Sequence, residues 1–147
     1  EAISAELTAL GHETQLHDVA TANIHDLDTS EAIVLGSAVY FGKWMPAASS
    51  FTRDLSAQIK GRPVWLFSSG PVGEPRTPAD PAINVEEQLR MTGAIEHQMF
   101  AGQVDKSQLR LGERSVLRAL RVPDGDYRDW TDVRDWARSI AATLSAA

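Results

Sequence analysis

The stretch AIVLGSAVYFGKW, residues 32–44, decides the fold of this chain of 147 residues. It opens with a short apolar run, continues through three small residues, and ends in a loop with the aromatic residues Tyr40, Phe41 and Trp44. A buried run bounded by glycine is typical of a strand in a parallel sheet. Pro46 then begins a helical pattern, and proline suits the first turn of a helix. The stretch therefore predicts a strand, a loop and a helix.

The aromatic loop is the first candidate for a binding site. In open α/β sheets, ligands bind at the loops that leave the carboxyl ends of the strands. Three large aromatic side chains around Gly42 suit a planar ring with polar edges. The same side chains can also serve only to pack the core, and the stretch alone leaves both interpretations open.

Composition limits the classes of function. The net charge is −6, with an isoelectric point near 5.1, which argues against a nucleic-acid partner. There is no cysteine, so disulfides, cysteine-bound metals and thiol catalysis are excluded. No apolar run approaches the ~20 residues of a transmembrane helix, and no signal peptide is visible. We expect a cytoplasmic protein with one domain over residues 1–147.

Hydrophobic periodicity and turn residues predict nine elements along the chain. In order, they are a helix at 1–10, strands at 15–19 and 32–37, a helix at 46–60, a strand at 63–68, a helix at 83–92, a strand at 97–101, and helices at 106–120 and 131–144. Glycines 11, 61 and 93 stand where three of these helices end. Asp129 or Thr131 is the expected cap of the last helix. The alternation predicts a doubly wound parallel sheet with helices on both faces.

A second loop of small residues follows the most apolar strand. Both loops leave carboxyl ends of parallel strands, so they should meet at one edge of the sheet. Their serines offer hydroxyl groups, and their glycines let a ligand approach the backbone. The candidate ligand-binding residues are Ser37, Ala38, Val39, Tyr40, Phe41, Gly42, Lys43 and Trp44 in the first edge loop, and Ser68, Ser69, Gly70, Pro71, Val72 and Gly73 in the second edge loop.

No metal site or catalytic side chain is predicted. The four histidines are scattered along the chain, with no pair at the spacing of helical metal ligands. Asp124 and Asp126 flank Gly125, but the further carboxylates of a calcium loop are missing. The run Ser68-Ser69-Gly70 does not match the pattern of a nucleophile elbow.

A basic stripe stands apart from the sheet. The basic residues from 106 to 118 are spaced by four, so they share one face of the predicted helix, and Glu113 is the single acid among them. A solvated charged face is the simpler interpretation. The alternative is a surface for anionic lipid at a membrane, for a redox partner or for the propionates of a porphyrinogen. The stripe consists of Lys106, Arg110, Arg114, Arg118 and Arg121.

Three motifs resemble a known family. LGSAVYFGKW, WLFSSGPVG and GDYRDW are similar to flavodoxin-domain proteins, and most of all to the branch of menaquinone-dependent protoporphyrinogen oxidase. The resemblance implies a five-stranded sheet in the order 2-1-3-4-5 and bound FMN. It also implies that the two edge loops flank the isoalloxazine ring, and that the phosphate sits on a loop after the first strand.

That first strand and its phosphate loop have no counterpart in the sequence. The 2-1-3-4-5 order places this strand at the centre of the sheet, and each unpaired buried backbone group costs ~1–3 kcal/mol. We therefore expect roughly 15–20 further residues upstream of Glu1. We also expect that residues 1–147 alone do not form a stable monomer.

The sequence and the resemblance together favour an FMN-binding electron-transfer protein or oxidoreductase. One alternative is protoporphyrinogen oxidation with a quinone as acceptor. An alternative of another class is an interaction module that keeps the fold without flavin.

Overall fold

The computed structural model describes residues 1–40, 42–70, 83–104 and 125–146. A single turn of 3₁₀ helix spans Ile24–Leu27. The helices are α1 (Ala2–Ala9), α2 (Pro46–Ser56), α3 (Glu86–Thr92) and α4 (Trp130–Ala146). The strands are β1 (Ile33–Tyr40), β2 (Lys43–Trp44), β3 (Val64–Ser69), β4 (Glu96–Phe100), β5 (Gln103–Val104) and β6 (Gly125–Asp126).

The main sheet has four strands in the order β2-β1-β3-β4. Strands β1, β3 and β4 are parallel, and the register sets Ser37 beside Ser68 and Ser68 beside Met99. Strand β2 is antiparallel to the end of β1. Strands β5 and β6 form a separate two-stranded ribbon. Because the three long strands are parallel, their carboxyl ends lie at one edge of the sheet, as predicted.

Each face of the sheet has its own core. On one face, α2 and α3 cover the alternating residues Ile33, Leu35, Val64 and Leu66 together with Trp44. The opposite residues of the same strands face a second core that α1 and α4 complete. That core consists of Leu7, Trp65, Phe100, Val133, Trp136, Ala137, Ile140 and Ala141. Helices on both faces confirm the predicted doubly wound α/β class.

Several of the signals that begin and end helices act as predicted, but Gly61 does not end α2, which stops at Ser56. Pro46 is in the first turn of α2, and Gly93 ends α3 in a left-handed conformation with φ of +59°. Asp129 caps α4, because its Oδ1 accepts a hydrogen bond from the amide of Thr131 at 2.8 Å. The buried stripe of α4 contains Val133, Trp136 and Ile140, so that helix is confirmed with its inward face.

The strand predicted at 15–19 is wrong. These residues belong to no strand, and Leu16 is 61% exposed. A strand requires a neighbour that accepts its hydrogen bonds. On the side of β1 away from β3, the described chain offers only β2, which pairs with Val39 and Tyr40. Nothing in the described chain therefore holds residues 15–19 in a sheet. The central strand that the 2-1-3-4-5 order places between these residues and β1 stays a prediction.

Helix and strand ends differ from the prediction where tertiary contacts intervene. Helix α2 ends at Ser56 rather than at residue 60, because the amide of Gln58 turns back to the carbonyl of Leu55 at 2.8 Å. Helix α3 starts at Glu86 rather than at residue 83, because the amide of Asn84 binds the carbonyl of Gly42 at 2.9 Å. The helix predicted at 106–120 lies outside the described residues.

Candidate functional site

Four segments meet at the carboxyl edge of the sheet. They are the end of β1, the end of β3, the end of β4 and the chain after β6. The amide of Gly70 donates to the carbonyl of Phe100 at 2.9 Å, and the amide of Tyr127 donates to the carbonyl of Gly102 at 3.2 Å. These bonds continue the sheet beyond its strands and hold the edge together.

The first edge loop is a hairpin rather than an open loop. Strand β1 continues to Tyr40 because Val39 pairs with Trp44 and Tyr40 pairs with Lys43. Gly42 makes the turn possible with a φ of +73°. The predicted strand, loop and helix are therefore a strand, a tight hairpin and a helix, because backbone pairing extends the sheet into the aromatic segment.

Ser37 connects this hairpin to α2. Its hydroxyl accepts a hydrogen bond from the amide of Met45 at 3.0 Å and donates to the carbonyl of Ala38 at 2.8 Å. Met45 is the residue that precedes the first turn of α2. The Ser37 side chain is thus engaged within the protein, where it fixes the start of the helix.

Trp44 is a core residue. Its side chain is 4% exposed and packs with the apolar cluster under α2. Its indole Nε1 donates a hydrogen bond to the Oγ of Ser68 at 2.7 Å. The Ser68 hydroxyl also lies 2.8 Å from the Nε2 of His97 on β4. The two predicted edge loops are therefore joined by a side-chain bond, and His97, which is half-buried, is the third member of this hydrogen-bonded set.

The other predicted residues differ in how far they reach the surface. Ala38 and Lys43 are exposed, Val39, Tyr40, Ser69 and Gly70 are half-buried, and Gly42 is buried. Tyr40 is thus the described aromatic residue of the hairpin that reaches solvent. Phe41, Pro71, Val72 and Gly73 of the edge loops, and the whole basic stripe, lie outside the described residues. The ligand-binding role of the edge loops stays a prediction.

Two glycines set the spacing of the strand ends. A Cβ atom on Gly102 would stand 3.1 Å from the nitrogen and 3.2 Å from the Cα of Gly70. Gly70 itself has a φ of +105°, a conformation that side chains disfavour. The amide of Gly70 already donates to Phe100, so it is not available to a ligand. Gly70 can still allow a ligand to approach the backbone closely, because it has no side chain.

An ion pair follows β6 at the same edge. Arg128 binds Asp126 through Nε at 2.7 Å and through Nη2 at 2.6 Å. The hydrogen bonds from Arg128 lower the pKa of Asp126 to about 2, and the carboxylate in turn raises the pKa of Arg128. The guanidinium also lies 4.6 Å from the ring centre of Trp130, whose side chain is 41% exposed.

A shallow depression of about 510 Å³ lies at the other edge of the sheet. Pro63 and Ile95, which precede β3 and β4, line it together with Trp65 and Leu144. Its position at the amino ends of the strands is opposite to the edge at which α/β sheets bind their ligands. We therefore place the candidate site at the carboxyl edge.

Three residues at this edge could not be identified as part of the site from the sequence. The sequence predicts His97 as the start of a strand and excludes it as a metal ligand, but its contact with Ser68 at 2.8 Å is not predicted. Asn84 and Gly102 join the site through backbone contacts, which residue type does not reveal. In the described part of the chain, no group of three His, Asp or Glu residues is placed to bind a metal ion.

The described helices include none that is long and apolar enough to cross a bilayer.

Comparison with known proteins then identifies the family. A sequence model of the flavodoxin domain matches residues 1–131. A solved structure titled "Structure of a flavodoxin from the domain Archaea" superposes with a TM-score of 0.52 at 19% identity, covering 93% of this chain and 86% of that chain.

No curated protein sequence matches the chain, and the narrower assignment to the protoporphyrinogen-oxidase branch finds no support. The superposition agrees with the flavodoxin-like fold implied by the sequence motifs. The matched residues include both edge loops and the start of the last helix. This chain belongs to the flavodoxin domain family.

Proposed function

We propose that this protein binds FMN at the carboxyl edge of its sheet and transfers electrons through it. The observation that supports the proposal most is the match of the flavodoxin domain over residues 1–131. FMN is the cofactor that flavodoxin domains typically bind, and the bound flavin would supply the redox chemistry. The protein's part is to bind, orient and shield the ring.

The types of residue at the carboxyl edge are suitable for binding a flavin ring. Tyr40 is a half-buried aromatic residue at the end of β1, and the same edge of the sheet carries the small residues Ala38 and Gly70. An aromatic face next to small residues suits the stacking of a planar ring. Trp44 and Ser68 are buried and bonded to each other. We therefore assign Tyr40 to ring contact, and Trp44 and Ser68 to holding the hairpin from behind.

Titration of the purified apoprotein with FMN tests this proposal. We expect flavin fluorescence to be quenched on binding. Replacing Tyr40 by alanine should raise the Kd about tenfold, which corresponds to ~1.4 kcal/mol of lost stacking. The matched control is Leu10→Ala, because Leu10 follows α1, is 47% exposed and belongs to neither edge loop. An apoprotein that leaves flavin fluorescence unchanged contradicts the proposal.

Simple measurements distinguish two alternative functions from FMN-mediated electron transfer. The motifs shared with the protoporphyrinogen-oxidase branch make oxidation of protoporphyrinogen the alternative reaction, and turnover of that substrate with a quinone would establish it. A purified protein whose visible spectrum lacks flavin absorption, and which cannot be reconstituted, would instead indicate an interaction module that has kept the fold.

The basic stripe adds a proposal about the partner. Its five basic residues stand in a chain with a net charge of −6, so they would orient an anionic electron acceptor towards one surface. We expect Arg110→Glu, Arg114→Glu and Arg118→Glu together to slow electron exchange with such an acceptor at low salt. Added salt should bring the wild type towards the variant, because it screens exposed charges. Equal rates at low ionic strength would show the stripe to be a solvated face.

A further inference from the structure

A chain of three side chains crosses the sheet beneath the candidate site. Trp44 belongs to β2, Ser68 to β3 and His97 to β4. In the strand order β2-β1-β3-β4, the indole must therefore reach across β1 to meet Ser68. The distances are 2.7 Å from Trp44 Nε1 to Ser68 Oγ and 2.8 Å from Ser68 Oγ to His97 Nε2. These hydrogen bonds connect the two outer strands of the main sheet, β2 and β4, at the level of the edge loops.

The direction of these bonds follows from counting hydrogens. An indole Nε1 can only donate, so the Ser68 oxygen accepts from Trp44. The Ser68 hydroxyl retains one hydrogen, and His97 Nε2 is its remaining partner in the described part of the chain. The arrangement that satisfies every group has Ser68 donating to an unprotonated Nε2, which places the imidazole hydrogen on Nδ1.

Burial favours this arrangement at its Trp44 end. Ser68 has no exposed surface and Trp44 is 4% exposed, so the bond between them is shielded from water, whereas His97 is half-buried. A buried donor without an acceptor costs the desolvation of that group. If Nε2 no longer accepts, the Ser68 hydrogen has to turn towards another acceptor, and the lone pairs of the oxygen turn with it, so the geometry of the bond that Trp44 donates changes.

We propose that His97 is a positioning residue of the candidate site. By accepting from Ser68 it orients the hydroxyl that holds the Trp44 indole, and Trp44 in turn holds the hairpin that presents Tyr40. The positioning itself does not depend on any ligand. Its consequence for FMN binding rests on the proposed function.

The indole signal of Trp44 in the apoprotein provides a direct test. In a spectrum of ¹⁵N-labelled protein, Trp44→Phe identifies this signal by its disappearance. We expect His97→Leu to shift the signal, because leucine cannot accept a hydrogen bond. His97→Gln should leave it nearly in place, because the glutamine amide reaches the position of Nε2. His97→Asn is shorter and should behave as the leucine variant does, which keeps the test available if leucine prevents folding.

FMN titration of the same variants gives the second readout. The Kd should rise about tenfold in His97→Leu and His97→Asn and stay within about twofold of the wild type in His97→Gln, because only glutamine keeps an acceptor for Ser68 and so keeps the hairpin that presents Tyr40 in place. The matched control is His25→Leu, since His25 is exposed and pairs with Asp28 in the 3₁₀ segment. That control should change neither the indole signal nor the Kd.

The outcomes separate the two proposals. An indole signal that is the same in wild type, His97→Leu and His97→Asn overturns the positioning role, whatever FMN does. A shifted indole signal with an unchanged Kd overturns the link to the flavin site. Wild-type protein that binds no FMN overturns the proposed function, while the indole signals still decide whether His97 positions Trp44.

Discussion

The two faces of the sheet are packed by different means. On the face under α2 and α3, buried polar groups have partners: Trp44 bonds to Ser68, and Thr52 bonds to the carbonyl of Ala48 at 2.8 Å. On the face under α1 and α4, Trp136 meets Phe67 and Phe100 edge to face, and the two phenylalanine rings are tilted by 58° to each other. The only buried side-chain polar atom without a partner in the described chain is the Nε1 of Trp136 on that second face.

This difference shows which face of the sheet can fix the orientation of the groups at the candidate site. Phe67, Phe100 and Trp136 lie with ring centres 5.5 to 6.0 Å apart, and such contacts depend on shape and tolerate small rotations. Hydrogen bonds have a required angle. The aromatic face therefore supplies stability, and the hydrogen-bonded face also fixes the orientation of the candidate site.

The largest effect should come from adding one methyl group to the aromatic face. A Cβ on Gly36 would lie 2.0 Å from the ring of Phe67, so Gly36→Ala has to displace that ring. We expect a loss of about 3 kcal/mol in the free energy of unfolding, measured in urea. Adding Phe67→Leu should recover part of that loss, since the smaller side chain gives the methyl group space.

Gly61→Ala serves as the control for that substitution. A Cβ on Gly61 would meet no atom within 4 Å, and its φ is +79°. Only the cost of the left-handed conformation remains, about 1 kcal/mol. Equal losses for the two alanine variants would show that contact with Phe67 is not what constrains Gly36.

A pair of tryptophan substitutions compares the two faces directly. Trp44→Phe and Trp136→Phe remove similar volumes, but the first removes a bonded N–H and the second an unbonded one. We expect Trp44→Phe to cost about 1–2 kcal/mol more in unfolding free energy, because Ser68 also loses a partner. Equal costs would mean that the bond to Ser68 adds no net stability.

The smallest effect belongs to the exposed ion pair after β6. Because Arg128 lowers the pKa of Asp126 to about 2 from 3.8, the pair stabilises the fold above the ordinary carboxyl pKa. That contribution is lost as the pH falls towards the lowered value. Arg128→Gln should return the Asp126 pKa towards 3.8, as followed by NMR titration. The melting temperature at neutral pH should hardly change, since exposed pairs contribute little. An unshifted pKa would contradict the assigned cause.

Local signals in the sequence were enough to predict the class of fold and the edge of the sheet that carries the candidate site. Pro46, Gly93 and Asp129 mark helix ends through their own chemistry, and the apolar runs of β1 and β3 predict buried strands without help from the rest of the chain. Where an element depends on its neighbours, prediction from sequence was less accurate. Residues 15–19 alternate like a strand but have no pairing partner in the described chain.

The sequence predicted that the ends of β1 and β3 meet at one edge of the sheet, but it did not predict the contacts made there. Trp44 has the residue type of a ring-stacking side chain, and nothing in the sequence shows that its indole turns inward to Ser68. His97 joins that chain only because the parallel register places β4 beside β3. Register is a property of the whole sheet, so no single stretch of sequence contains this information.

The contact between Gly70 and Gly102 has a consequence for how such a site can evolve. The distance between two strand ends is set there by backbone against backbone, so it does not depend on which side chains the neighbouring loops carry. Loop residues can then be exchanged, and ligand preference altered, while the frame that supports them keeps its dimensions. The chain thus separates the part that must stay constant from the part on which selection for a new partner can act.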